Sequence, residues 1–167
     1  MSSAKPRPAL PKRPARAAVP TSPDFEMLDA THREVMATLE RLQQWIDLLD
    51  ASGISPVTRA AADEICRFFD GSARAHHAAE ERDVFPSLLS SGDAALVQHV
   101  HRLQQDHGWL EEDWLELQPQ LRAVVEGYSG YDLDFLRAAV PVFTDLYRDH
   151  IALEETVVYP ESRRRQG

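Results

Sequence analysis

The chain has 167 residues, 43% of them hydrophobic and 27% charged, with a formal net charge of −9 and one cysteine. That length supports one domain with a core of its own, and a lone cysteine excludes an internal disulfide framework, cysteine-rich zinc sites and a four-cysteine iron–sulfur cluster. Five basic residues and no acids fall in residues 1–23 and three arginines lie near the end, so residues 24–162 hold ten basic residues against all 27 acids, which argues against nucleic acid as a partner of the folded part.

Residues 1–23 carry Pro6, Pro8, Pro11, Pro14, Pro20 and Pro23 among Ala, Ser, Lys and Arg. Prolines this dense forbid a helix, and large apolar groups are few, so the segment reads as a disordered, basic, Pro-rich arm. It lacks the apolar centre of a secretory signal, and its prolines bar the amphipathic helix of a transit peptide. No stretch approaches the roughly 20 apolar residues of a membrane span. The expected setting is cytoplasmic, away from membranes.

Helical periodicity dominates from residue 24. Leu28, His32, Val35, Leu39, Leu42, Ile46 and Leu49 form one stripe, closed by Ser52-Gly53. Ser55-Pro56 opens a second helix through Ile65, Phe69, Ser72, His76 and Glu80 to about Leu89. After the turn Ser90–Asp93, a third stripe runs Leu96, Val100, Leu103, His107, Leu110, Trp114, Leu117 and Leu121, with Pro119 expected to kink or trim its end. A loop at 127–132 precedes the fourth helix, through Leu136, Val140, Phe143, Leu146, His150 and Glu154, which Pro160 is expected to end. Residues 163–167 are read as a basic tail. No segment alternates with period two between turns. Long helices with short connections predict an all-α, up-down-up-down antiparallel four-helix bundle over residues 24–162.

One internal repeat carries the chemistry. Residues 76–86 read His-His-Ala-Ala-Glu-Glu-Arg-Asp-Val-Phe-Pro and residues 150–160 read His-Ile-Ala-Leu-Glu-Glu-Thr-Val-Val-Tyr-Pro. Both obey H-x-A-x-E-E-x-x-V-[FY]-P. The copies fall on the second and fourth helices, which are parallel and diagonally opposed in such a bundle. Residues four apart share a helix face, so His76 and Glu80 point together, as do His150 and Glu154. His32 and His107 interrupt the apolar stripes of the other two helices. Four imidazoles and two carboxylates inside a core need a common partner, because an unpaired buried carboxylate costs several kcal/mol. A pair of metal cations satisfies all six; carboxylates can bridge two cations and imidazole suits iron, zinc or copper. His77 and Glu81 are also four apart, but the second copy has Ile151 in place of His77, so the repeat selects His76 and Glu80. Glu81 and Glu155 are expected at the surface or behind the ligands. His99 and His101 read as a surface pair, and Tyr147 as a candidate hydrogen-bonding neighbour of the site. Trp45, Trp109, Trp114 and Cys66 read as packing residues. No histidine has Glu three residues before it, which sets aside the ferritin-like Glu-x-x-His pattern.

This arrangement resembles the hemerythrin-like, HHE cation-binding domains over roughly residues 24–160. The resemblance implies a non-haem di-iron centre, two iron ions bridged by two carboxylates and an oxo or hydroxo group, with His32, His76, Glu80, His107, His150 and Glu154 as ligands. The oxygen-carrying hemerythrins have a His-x-x-x-His pair on the third helix, where this chain has Leu103 and Glu111 around His107, and an Asp where it has Glu154. Those departures point away from oxygen transport and towards the broader HHE group. The expected role is binding or sensing O2, NO or peroxide. The alternatives are a di-iron enzyme that decomposes peroxide or reduces NO, and an iron-handling stress protein. No group dedicated to proton delivery is evident, which favours binding.

Overall fold

A computed structural model describes residues 22–167; residues 1–21, most of the Pro-rich arm expected above, lie outside the described residues. Four long helices follow in order. Helix α1 is Phe25–Ser52, capped by the Asp24 carboxylate, which accepts from the Met27 N–H at 3.0 Å. Gly53 ends it with φ 64°, a conformation that favours glycine. Helix α2 spans residues 56–89, opened by Ser55 and Thr58 in a reciprocal capping box with Pro56 in the first turn. Helix α3 is Ala94–Val125, capped by Asp93. Helix α4 spans residues 133–166, capped by Asp132.

Helix α1 packs on α2 and α4, and α3 packs on the same two. The two repeat-bearing helices are therefore diagonal, as the alternating topology requires. Among the described residues there is no strand, and no helix is long and apolar enough to cross a membrane.

Two proline expectations are corrected. Pro119 does not trim α3, which continues to Val125. The carbonyl that loses its partner belongs to Leu115, an exposed residue, so water can serve it. Pro160 does not end α4 either. It sits in the first turn of Tyr159–Gln166, directly after a wide π turn at Glu154–Val158, where a missing N–H is tolerated. Arg163 to Arg165 are consequently helical, and Arg163 pairs with Asp29 on α1 at 2.6 Å. Trp109, expected to pack, is 47% exposed, whereas Trp45 and Trp114 are buried.

The interior is divided along the bundle axis. A large apolar cluster contains Val35, Phe69, Ala73, Leu110, Tyr147 and Ile151; a smaller one contains Leu28, Val84, Phe85, Leu103, Val158 and Tyr159. On every helix the residues that separate the two sets are the histidines and glutamates singled out above.

Candidate metal centre

Wide π turns place the polar layer. Helix α2 widens at Phe68–Ser72 and again at Glu80–Val84, and α4 widens at Glu154–Val158. In both repeat copies the π turn starts at the glutamate of the His-x-x-x-Glu pair. Such turns insert one extra residue and re-aim the side chains that follow, and they recur at functional sites. The first of them moves the core face on by one position. Ser72, expected to face the core, is exposed, and Ala73 is buried in its place. His76 and His77 then both turn inward.

All six residues selected from the sequence converge. His32, His76, His107 and His150 are at most 6% exposed, and Glu80 and Glu154 are fully buried. One oxygen or ring nitrogen from each of His32, His76, Glu80 and Glu154 lies within 4.8 Å of the others. The same holds for Glu80, His107, His150 and Glu154. Two four-membered donor sets thus share the two carboxylates. Each Nε2 faces a carboxylate: His32 to Glu154 at 2.9 Å, His76 to Glu80 at 3.2 Å, His107 to Glu80 at 3.1 Å and His150 to Glu154 at 2.9 Å. Despite these distances, Nε2 of His76 and His150 and both Glu154 oxygens make no hydrogen bond. Lone pairs that crowd together without bonding to one another suit a cation between them.

A second ring of carboxylates stands behind the imidazoles. Glu155 reaches His32 Nδ1 at 3.0 Å, Glu81 reaches His107 Nδ1 at 2.9 Å, and Asp106 lies 3.4 Å from His150 Nδ1. Carboxylates in this position fix the tautomer that leaves Nε2 free for a metal. The paired Glu-Glu of each repeat is thereby explained. Its first member faces inward, and its second grips the histidine of a neighbouring helix. Gln104 also donates to Glu81, at 2.8 Å, and His101 contacts Gln104 at the surface. Glu81→Gln keeps an acceptor beside His107, so the variant is expected to retain both metals with affinity lowered about tenfold; metal analysis with chelator competition checks this, and complete loss of metal would refute it.

Electrostatics follow from these contacts. Burial alone lowers the pKa of His32, His107 and His150, but the facing carboxylates outweigh it and all three are raised, His150 to about 10. Burial would lift Glu80, yet the imidazoles around it hold it well below the usual carboxylate range. Hydrogen bonding from His107 lowers Glu81.

Sequence reasoning set His77 aside in favour of His76 and missed Tyr159. His77 is 4% exposed and stacks on His107 with ring centroids 4.0 Å apart. One of its ring nitrogens lies within 4.8 Å of those of His107 and His150. Burial, reinforced by the neighbouring imidazoles, pushes it down to about 2. A cavity of about 240 Å3 between α2 and α3, lined by Phe69, Ala73, Leu110, Trp114 and Tyr147, reaches this ring. Tyr159 is fully buried, donates a hydrogen bond to Glu80 Oε1, and brings its hydroxyl to 3.2 Å from His32 Nε2. The only sign of it in the sequence was the variable aromatic of the repeat. Tyr147 meets the site through its ring, 5.9 Å from that of His77.

A four-helix bundle with a buried cage of histidine and glutamate has the donor set of a cation-binding protein. The chain belongs to the hemerythrin HHE cation-binding domain family, whose model matches residues 24–162. It is 30% identical over 131 residues to an uncharacterised protein of Haemophilus influenzae, an alignment covering 78% of this chain and 74% of that one. No solved structure matches it.

Proposed function

We propose that the protein holds two iron ions in this cage and binds or senses a small ligand there, O2, NO or peroxide. His32 and His76 would hold one ion, His107 and His150 the other, with Glu80 and Glu154 spanning both. The observation that carries the reading is the pair of buried donor sets, each within 4.8 Å, that share both carboxylates. Four neutral imidazoles and two carboxylates, with no thiolate, suit iron better than a structural zinc. When bound, the ions supply coordination positions for the ligand and exchange electrons with it. The chain's own part is to hold the donors, to keep each imidazole in its metal-binding tautomer through Glu81, Asp106 and Glu155, and to exclude water with the apolar clusters on either side.

The peroxide-decomposing alternative gains support from one feature. The Tyr159 hydroxyl is a buried O–H at the carboxylate cage, a group able to hold or move a proton during turnover.

Metal analysis of anaerobically purified protein tests the reading, with two irons per chain expected and none fatal to it. Absorption spectra on mixing with O2 and then with H2O2 separate the roles. A stable oxygenated band supports binding, and rapid oxygen evolution supports the enzyme. The pH dependence has a fixed sign. His150 is raised to about 10, so at neutral pH the metal-free cage holds a proton that a metal must displace. Iron affinity is therefore expected to rise with pH and to level off only above about 10, where His150 is already neutral. Chelator competition across that range checks it, and affinity that falls with pH would refute it.

A further inference from the structure

His77 is buried, yet among the described residues neither of its ring nitrogens has a hydrogen-bond partner. A buried polar group left unpaired is costly, so this ring lacks something. The cavity of about 240 Å3 between α2 and α3 reaches it. The inner walls of that cavity are Phe69, Ala73, Leu110, Trp114 and Tyr147, all buried and three of them aromatic. An apolar cavity of roughly 150 Å3 holds benzene, so this one has room for a single ring with a small substituent. Glu111 also lines the cavity, and its Oε1 lies 4.0 Å from His77 Nδ1. That gap is too wide for a hydrogen bond, and it matches the span across one oxygen that touches both atoms at about 2.8 Å.

We propose that this cavity binds a single-ring phenol. The ring lies against Phe69, Trp114 and Tyr147, and the hydroxyl sits between His77 and Glu111, accepting a hydrogen bond from Nδ1–H and donating one to Oε1. Aromatic walls favour an aromatic occupant through edge-to-face and offset contacts. A hydroxyl both donates and accepts, which is what a donor imidazole facing a carboxylate requires. The rim favours an uncharged ligand. Asp70 is already satisfied, since it accepts from Trp114 Nε1 at 2.8 Å, Gln118 at 2.7 Å and Arg122 at 3.0 Å. Arg74 and Glu111 bring opposite charges to the mouth, so no net charge there calls for an ionic partner. His77 stacks on His107 with ring centroids 4.0 Å apart, so the occupant stands one imidazole away from the cage. The site is built from α2, α3 and Tyr147 of α4, and it does not depend on what the cage holds.

The test titrates the full chain, as purified, with phenol by calorimetry, with benzene and benzoate for comparison. Wild type should bind one phenol per chain. Benzene, which lacks the hydroxyl, should bind about tenfold more weakly, and benzoate more weakly than phenol, because its carboxylate would face Glu111. Glu111→Ala, at a side chain 45% exposed, should fold and bind phenol about tenfold more weakly while leaving benzene unchanged. Ala73→Leu, which fills the cavity from α2, should exclude both. Absence of saturable phenol binding overturns the proposal, as does a phenol affinity no greater than that for benzene or benzoate. A phenol affinity that either variant leaves unchanged also overturns it, and Glu111→Ala decides alone if Ala73→Leu fails to fold by circular dichroism. The heat of binding is not a metal signal. Wild type that holds iron and ignores phenol therefore removes this proposal alone, and wild type that binds phenol without iron removes only the iron reading.

Discussion

Glu154→Ala is expected to lose both metals, where His76→Ala loses one. The two oxygens of Glu154 serve opposite halves of the cage: Oε2 is 2.9 Å from His32 Nε2 and Oε1 is 2.9 Å from His150 Nε2. The neighbouring Glu155 is engaged with the outer nitrogen of His32, so it does not replace Glu154. The metal-free fold should suffer as well. His150 is held up to about 10 mainly by Glu154 against the effect of burial, and deleting one partner of a buried pair costs about 3–5 kcal/mol. Metal analysis should find well under one iron per chain, and thermal unfolding of the metal-free protein should move to lower temperature. Two irons retained by this variant would contradict the assignment of Glu154 to both positions.

Trp45→Ala should do the opposite, weakening the fold while leaving the cage filled. Trp45 is buried in the large apolar cluster, away from the polar layer, and its indole N–H donates to the Thr58 carbonyl at 2.9 Å. That bond ties the end of α1 to the start of α2. Truncating a buried tryptophan costs about 3–5 kcal/mol, which for a domain of this size lowers Tm by roughly 10 °C. Iron content should remain two per chain, and added iron should recover part of the lost stability because it binds only the folded form. Loss of metal in this variant at a temperature where it is folded would show that the apolar cluster and the cage are not separable.

The contrast between these variants mirrors what could be read from the residues alone. The four stripes and the convergence of six donors follow from spacing, because α-helical geometry converts an interval of four into a shared face. His77 was set aside because Ile151 stands at its place in the second copy, and a uniform helical pitch hid that both His76 and His77 turn inward. A projection at a uniform pitch assumes that no turn is wide, and the π turn at Phe68–Ser72 breaks the assumption just before the histidine pair. Nothing in Phe-Phe-Asp-Gly-Ser announces the extra residue, although its effect is plain once Ser72 is found outside and Ala73 inside. Tyr159 escaped for a different reason. Its pattern position accepts either aromatic, and the hydroxyl matters only because α1 brings His32 alongside it. The carboxylates behind the imidazoles were likewise legible as residues and not as pairs, since Glu81, Asp106 and Glu155 each serve a histidine on another helix.

That crossed pattern has a consequence for how the centre fills. Glu80 and Glu154 belong to both donor sets, and each repeat aligns an imidazole that it does not itself carry. If the cage takes two ions as proposed, seating the first would arrange half of the second ion's nest in advance, and a metal titration is expected to be sigmoidal with few singly occupied chains. On that reading the molecule would act as a two-position switch between empty and full rather than as a graded reservoir.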